Sequence, residues 1–115
     1  MYALFVILNE IDYLDDLLCG FVENEISGAT ILDSQGMGSA IAHGSNTDMP
    51  LFATLRMLIG DAHPYSKTIF TVLENETMVN KAVSVVQEIV EDISSPSVGF
   101  MFTVPIAKVY PMKKD

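Results

Sequence analysis

The chain has 115 residues, of which 50% are hydrophobic and 18% charged, a balance typical of one well-buried domain rather than of a disordered segment. Fifteen acidic residues against six basic ones give a formal net charge of -9, which disfavours partners that carry phosphodiester backbones or anionic membrane surfaces. No apolar run approaches the roughly 20 residues needed to cross a bilayer, and the single cysteine cannot form an internal disulfide. These features predict one cytoplasmic domain over 1–115 that does not bind nucleic acid.

The first half of the chain has the pattern of a strand, a helix and a second strand. Tyr2–Leu8 is a short apolar run, typical of a strand buried on both faces. Asn9 is placed to cap a helix over 10–25. The apolar residues of that helix recur at spacings of three and four: Ile11, Leu14, Leu18, Phe21 and Val22. Residues 28–35 then predict the second strand.

Two glycines end this second strand and form the first functional candidate. In the segment Gly36-Met37-Gly38, glycine permits positive φ angles or the close approach of another molecule. The alternative is a simple turn that leaves the sheet. We therefore expect either a ligand contact or a turn at this corner.

A long excursion over 39–66 follows the corner, and connections of that length in small domains are usually functional or mobile. Its first part, 39–47, has little apolar content and is expected to be mobile, whereas 50–59 is expected to hold a short helix. The excursion contains both histidines, His43 and His63. Without a nearby cysteine or paired histidine, solvated side chains are favoured over a metal site.

The second half repeats the order of strand, helix and strand. Residues 67–73 predict a third strand, 75–92 a second helix, and 99–104 continued by 106–110 a fourth strand with an irregularity at Pro105. The order βαββαβ predicts an α+β, ferredoxin-like sandwich, in which an antiparallel four-stranded sheet carries two helices on one face.

The other face of this predicted sheet also needs a cover. Residues 4–8 and 100–104 are apolar at both alternating sets of positions. An exposed face of this kind would exceed the roughly 300 to 600 Å² of the largest apolar patches on monomers. The sequence therefore predicts self-association.

Residues 26–38, with the sequence ISGATILDSQGMG, resemble the second strand of the P-II nitrogen-regulatory proteins. In that family a Gly-x-Thr start, here Gly28 and Thr30, leads at the same spacing to a Gly-Phe-Gly corner, and a large T-loop follows. Residues 67–74, 78–93 and 99–105 are similar to the family's third strand, second helix and final strand. The resemblance covers nearly the whole chain except residues 43–64.

The resemblance implies a homotrimer whose sheets line a central core and whose clefts between subunits bind nucleotides. The ligand would be a small-molecule effector such as an adenine nucleotide, with no permanent cofactor, and the excursion would signal to a membrane transporter or an enzyme. The implied ligand-binding residues are Thr30, Gly36, Met37, Gly38, Ser39, Gly99, Phe100 and Lys108.

Several positions depart from the family pattern. The family's Gly-Asp-Gly-Lys loop, which holds phosphates, is replaced by residues 97–100, which keep only Gly99, so little preference for a γ-phosphate is expected. The usual glutamine after the corner is replaced by Ser39 or Ala40, and no tyrosine stands in the first part of the loop. The nearest counterparts of the family's C-terminal arginines are Lys108 and Lys113. The chain therefore resembles a divergent P-II protein.

Two other classes stay open at this stage. One is a metal-linked trimer similar to the CutA proteins, and the other is a small ferredoxin-like isomerase or monooxygenase, which needs a catalytic His or Asp beside an apolar cavity. No nucleophile and base stand at a spacing that supports catalysis. We therefore expect a sensor rather than an enzyme.

Overall fold

The computed structural model describes residues 1–43, 65–95 and 97–114, which form an α+β arrangement of one open sheet and its helices. A 3-10 turn, Ile11–Tyr13, precedes the first helix. No helix within the described residues is long and apolar enough to cross a membrane. The elements are β1 (Tyr2–Leu8), α1 (Leu14–Glu23), β2 (Thr30–Ser34), α2 (Met37–His43), β3 (Ser66–Leu73), α3 (Glu76–Val90) and β4 (Gly99–Pro105).

The four strands form an antiparallel sheet in the order β2-β3-β1-β4. At one end of the sheet, Leu8 pairs with Gly99 of β4 and with Lys67 of β3; we call this the Gly99 end. At the opposite end, Tyr2 pairs with Pro105, and we call it the Pro105 end. Because β2 and β3 are also antiparallel, the last residue of β2, Ser34, lies at the Gly99 end as well.

The core lies between one face of the sheet, the inner face, and helices α1 and α3. Alternate β1 residues Leu4, Val6 and Leu8 are buried there, as the two-residue period of a strand requires. Burying a side chain of this size stabilises the fold by roughly 1.5 to 3 kcal/mol. They pack with Leu17 and Phe21 of α1, Ile69 and Leu73 of β3, and Ala82, Val85 and Val86 of α3.

A glycine allows the two long helices to approach each other closely. A Cβ atom added at Gly20 would lie 2.7 Å from Cγ1 of Val85, so this position of α1 has no room for a side chain unless Val85 moves. Ala82, which is fully buried, is a second small residue on α3. Helices α1 and α3 are therefore tightly packed against each other.

The strands largely follow the expected pattern, with corrections at their ends. β1 has the predicted bounds and β3 begins one residue earlier, whereas β2 is shorter than the predicted 28–35. β4 ends at Pro105, so the predicted strand continuation over 106–110 is wrong. The reason is that Pro105 already pairs with Tyr2, the first residue of β1. In the described segment beyond it, the amide of Ile106 still donates to the carbonyl of Met1 at 2.9 Å, but no further ladder with β1 follows.

The first helix differs from the prediction in its cap and its buried face. Asn9 does not cap it; its side-chain amide donates to the carbonyl of Ser97 at 3.0 Å, and its backbone amide donates to that of Val98 at 2.9 Å. Ile11 and Val22, predicted to face the core, are 44% and 67% exposed. In contrast, Asn75 caps α3 by accepting a hydrogen bond from the Met78 amide at 2.9 Å.

Helix α1 ends in a Schellman motif whose left-handed position is occupied by Glu25. The amide of Ile26 donates to the carbonyl of Phe21 at 2.8 Å, and the amide of Glu25 donates to that of Val22 at 3.1 Å. Glu25 has a φ of 67°, a conformation that glycine adopts without strain and other residues rarely adopt. Ile26 and Phe21 are both buried, which supplies the hydrophobic contact of the motif.

Replacing this residue by glycine is expected to stabilise the protein. Glu25→Gly should raise the free energy of unfolding by up to about 1 kcal/mol, because glycine avoids the cost of the left-handed conformation. The exposed ion pair of Glu25 with Lys81, 3.8 Å long, contributes little against this gain. Urea denaturation measures the change. The control is Glu23→Gly, two residues earlier and inside the helix, which should instead destabilise the protein by about 0.5 to 1 kcal/mol. A loss of stability in both variants would contradict the proposal that Glu25 is strained.

Candidate functional site

The first group of candidate ligand-binding residues lies at the Gly99 end of the sheet. Gly36, Met37, Gly38 and Ser39 follow β2, and Gly99 with Phe100 begins β4. However, β2 and β4 are the two edge strands, and β3 and β1 lie between them. With strands about 4.8 Å apart, the two edges are separated by roughly 14 Å.

The other two candidates, Thr30 and Lys108, lie elsewhere. Thr30, in the edge strand β2, pairs with Phe70 midway along β3, on the face that the helices leave open, which we call the outer face. Lys108 is exposed and follows Pro105, so it lies beyond the end opposite Gly99, roughly 20 Å away along the strands. One chain therefore does not bring all the candidates together.

The glycine corner is the start of a helix rather than a strained turn. Helix α2 begins at Met37, and the amide of Ala40 donates to the carbonyl of Gly36 at 2.9 Å. Neither Gly36 nor Gly38 has a positive φ, and a Cβ atom at Gly36 would meet nothing within 4 Å. The positive φ angles that glycine permits are therefore not adopted at this corner. A glycine inside a helix lowers helix stability by about 1 kcal/mol, a cost that the helix-forming residues around it can offset.

Gly99 is the position that does require glycine. Its φ is 144°, and a Cβ atom there would lie 2.0 Å from the carbonyl oxygen of Ile7. The start of β4 therefore lies against the backbone of β1 more closely than any side chain would permit. Asn9, through its bonds to residues 97 and 98, holds the preceding turn against the same strand.

The outer face of the sheet carries a row of stacked phenylalanine rings. The ring of Phe5 in β1 lies between those of Phe70 and Phe102, with centroid distances of 5.5 and 4.9 Å, and the rings of Phe100 and Phe102 are 6.1 Å apart. Phe100 is 61% and Phe102 43% exposed. Leu32, Val72 and Val104 are also exposed on this face.

This arrangement follows from strand alternation together with the register. The sequence indicated a sheet that is apolar on both faces, but it did not predict which phenylalanine rings lie side by side. Phe5 is level with Phe70 and with Phe102 because all three strands pair in one register, which only the fold establishes.

Three hydroxyl groups form a small polar cluster on the outer face, near the Gly99 end. Thr68 donates to Oγ of Ser34 at 2.8 Å, and the Oγ atoms of Ser34 and Ser66 are 2.8 Å apart. Ser66 is 6% exposed and donates to the carbonyl of Ser34 at 3.2 Å. Sequence reasoning missed this cluster. The feature of the sequence that could have indicated it is the pair of serines at the end of the second strand and the start of the third, Ser34 and Ser66.

The charges at the Gly99 end of the helix layer are negative. The N-terminus of α1 and the C-terminus of α3 both lie at this end, because α1 follows β1 and α3 leads into β4. Lys67 is nearby but forms an ion pair with Asp33. The acidic side chains are Glu10, Asp12, Asp15 and Asp16 around the start of α1, and Glu88, Glu91 and Asp92 around the end of α3. An unscreened phosphate would be repelled here.

At the Pro105 end, one titration is perturbed. Tyr2 donates a hydrogen bond to Oε1 of Glu76 at 3.2 Å. The negative charge of this carboxylate raises the pKa of Tyr2 above its ordinary value, because it disfavours the phenolate. The phenol is exposed and has no role in the candidate site.

The long excursion and the histidines fall mostly outside the described residues. Residues 39–43 belong to α2. Residues 44–64 lie outside the described part of the chain, and with them most of the stretch predicted to be mobile, 39–47, and all of the predicted helix, 50–59. His43 is the last residue of α2, and His63 is not described. Among the described residues, no group of three or more His, Cys, Asp or Glu side chains is arranged to hold a metal ion.

The two glycines at this end of the sheet should respond differently to alanine. Gly99→Ala should lower the free energy of unfolding by roughly 2 to 3 kcal/mol, because its Cβ overlaps the carbonyl of Ile7 and its φ is unfavourable. Gly36→Ala, the matched control, should stay within about 0.5 kcal/mol of the parent chain. Thermal and urea denaturation compare them. Equal losses at both positions would contradict the assignment.

Two comparisons with known proteins identify no relative of this chain. No protein-family model matches the chain. A search of curated proteins likewise gives no significant match. The functional proposal therefore depends on the arrangement of this chain's own residues and on the P-II-like pattern in its sequence.

Proposed function

We propose that this chain is a ferredoxin-like homotrimer similar to the P-II proteins, which senses an adenine nucleotide or a similar metabolite bound between its subunits. It acts by binding rather than by catalysis. The observation that carries the proposal is the apolar outer face of the sheet, which the helices leave uncovered.

The outer face favours a cover made by other copies of the chain. It spans all four strands, and its central row consists of Thr30, Phe70, Phe5 and Phe102. Clustered exposed aromatic rings are depleted on monomer surfaces and enriched at protein interfaces. Three such sheets facing one another would bury these rings around a shared core.

The division of the candidate residues also favours an assembly. Gly36 and Gly99 lie at one end of the sheet, whereas Lys108 lies beyond the other end. In a ring of copies, a heterologous contact places different parts of the chain side by side. One subunit would supply the Gly99 end to a cleft, and its neighbour would supply Thr30 and Lys108.

The acidic side chains at the Gly99 end favour a cleft to which a neighbouring subunit contributes a positive charge. The helix layer at the Gly99 end carries seven acidic side chains, and the lysine at this end of the sheet, Lys67, is paired with an eighth, Asp33. A nucleotide phosphate therefore needs compensation by Lys108 of the neighbour or by a bound Mg²⁺. Because Phe100 stands in place of the family's phosphate-binding lysine, the chain has no positively charged side chain there to bind a γ-phosphate.

Ligand occupancy would reach a partner through the excursion over 39–66. Helix α2 connects Gly36 directly to this excursion, so a ligand beside the corner would bias the position of the helix. The target would be a membrane transporter or an enzyme. The described residues offer no observation that favours the CutA-like metal site or the isomerase and monooxygenase classes.

The assembly is tested by a charge on the outer face. The parent chain should sediment as a trimer at micromolar concentration, and Phe102→Asp should sediment as a folded monomer, because a carboxylate in an apolar interface would lose its hydration. Phe102 is 43% exposed in one chain, so the change is tolerable in the monomer. Val22→Asp places the same charge at a 67% exposed valine on the helix side and should leave the trimer intact. A monomeric parent chain would contradict the proposal.

The ligand is tested by calorimetry with ATP, ADP and AMP, with and without Mg²⁺. ATP and ADP should bind with similar affinity and more tightly with Mg²⁺. Lys108→Ala should weaken both by about tenfold, equivalent to about 1.4 kcal/mol. Lys81→Ala removes the same charge from α3 and should have little effect. The binding of ATP alone would overturn the expected indifference to the γ-phosphate, and no binding of any adenine nucleotide would exclude this ligand class.

A further inference from the structure

A second feature of the Gly99 end is a small apolar cavity inside the subunit, between the sheet and the end of α3. Its volume is about 60 Å³. The described residues that line it include Val6 and Leu8 of β1, Val86 and Val90 of α3, Val98, and Met101 of β4. All of them belong to one chain, so no residue of a second subunit is needed to form the cavity.

Gly99 lines this space and contributes no side chain to it. In the register of the sheet, Gly99 is paired with Leu8, whose side chain points to the inner face and is 2% exposed. With a φ of 144°, however, Gly99 departs from regular strand alternation, and a Cβ atom there would be directed at the backbone of β1. The contact of 2.0 Å between its Cβ and the carbonyl oxygen of Ile7 prevents any side chain at this position.

The chemistry of the lining selects an apolar occupant. A buried water needs two to four polar partners, and the lining side chains are aliphatic, aromatic or thioether groups. The backbone groups of Ile7 and Phe100 belong to the ladder between β1 and β4. Water is therefore poorly accommodated in this space.

The size of the cavity limits the occupant. An apolar cavity of roughly 150 Å³ admits benzene or xenon, and a water occupies about 30 Å³ of liquid volume. A space of about 60 Å³ consequently fits a guest of roughly two or three heavy atoms. The cavity is only partly enclosed, and Phe100, which also lines it, is 61% exposed.

We propose that this cavity is a binding site for a small apolar group, such as xenon, a two- or three-carbon hydrocarbon or the alkyl end of a larger ligand. The site lies on the inner face, whereas the proposed nucleotide cleft lies between subunits. The two proposals can therefore fail separately. A monomer that takes up xenon would contradict the trimer and leave the cavity site standing.

The test is a xenon titration of the full chain, followed by the methyl resonances in NMR spectra. The methyl groups of Val86, Val90 and Met101 should shift saturably, whereas those of Leu17, outside the lining, should not. Val90→Ile adds a methyl group to the lining and should weaken xenon binding several-fold. Val79→Ile makes the same change in the first turn of α3 and should leave binding unchanged.

A second filling variant keeps the test decisive if Val90→Ile does not fold. Val98→Ile changes the turn before β4 and should weaken xenon binding in the same way. The absence of a saturable shift in the parent chain, or parent-like binding in the folded filling variants, would overturn the site. An equal loss of binding in Val79→Ile would also overturn it, because the effect would then be independent of the cavity.

Discussion

The arrangement of this protein depends on one strand, β1, which is hydrogen-bonded on both edges and apolar on both faces. Its inward residues, Leu4, Val6 and Leu8, hold the helices to the sheet. Its outward residue Phe5 is the centre of the row of aromatic rings. Since helices α1 and α3 cover only one face, the same strand that builds the core also contributes to the apolar face that they leave uncovered.

The backbone contact at Gly99 connects the fold to both proposed sites. It lets β4 begin level with the end of β1, with Phe100 at the edge of the outer face. Gly99 also lines the cavity, to which it contributes no side chain. One residue thus borders both the proposed interface and the cavity, and its effect on the fold comes from the absence of a Cβ atom rather than from any chemistry of its own.

The charges are distributed as unevenly as the apolar surfaces. Three of the six basic residues, Lys108, Lys113 and Lys114, lie in the segment after β4, whereas acidic side chains dominate both helices. Within a chain, this basic segment leaves from the end of the sheet opposite the acidic Gly99 end. Attraction between these unlike regions of neighbouring subunits favours the head-to-tail order of the proposed ring.

The sequence by itself determined those elements whose pattern is local. β1 and β3 were predictable because β-branched and aromatic residues fill a short run, and α3 was predictable because Asn75 caps a clear helical period. The sequence also indicated an α+β order with an antiparallel sheet, since two strand-helix-strand halves fit that arrangement. It identified Gly99 as a candidate residue without giving the reason.

Only the tertiary structure decided the features that depend on contacts between distant segments. The end of β4 depends on where β1 begins, and the role of Asn9 depends on the turn at 97–98, so neither was visible locally. A helix begins at the glycine corner, where Gly36 has room for a side chain, whereas Gly99 must be glycine because the backbone of Ile7 lies against it. Periodicity predicts which residues share a face, but the register between strands decides which of them touch.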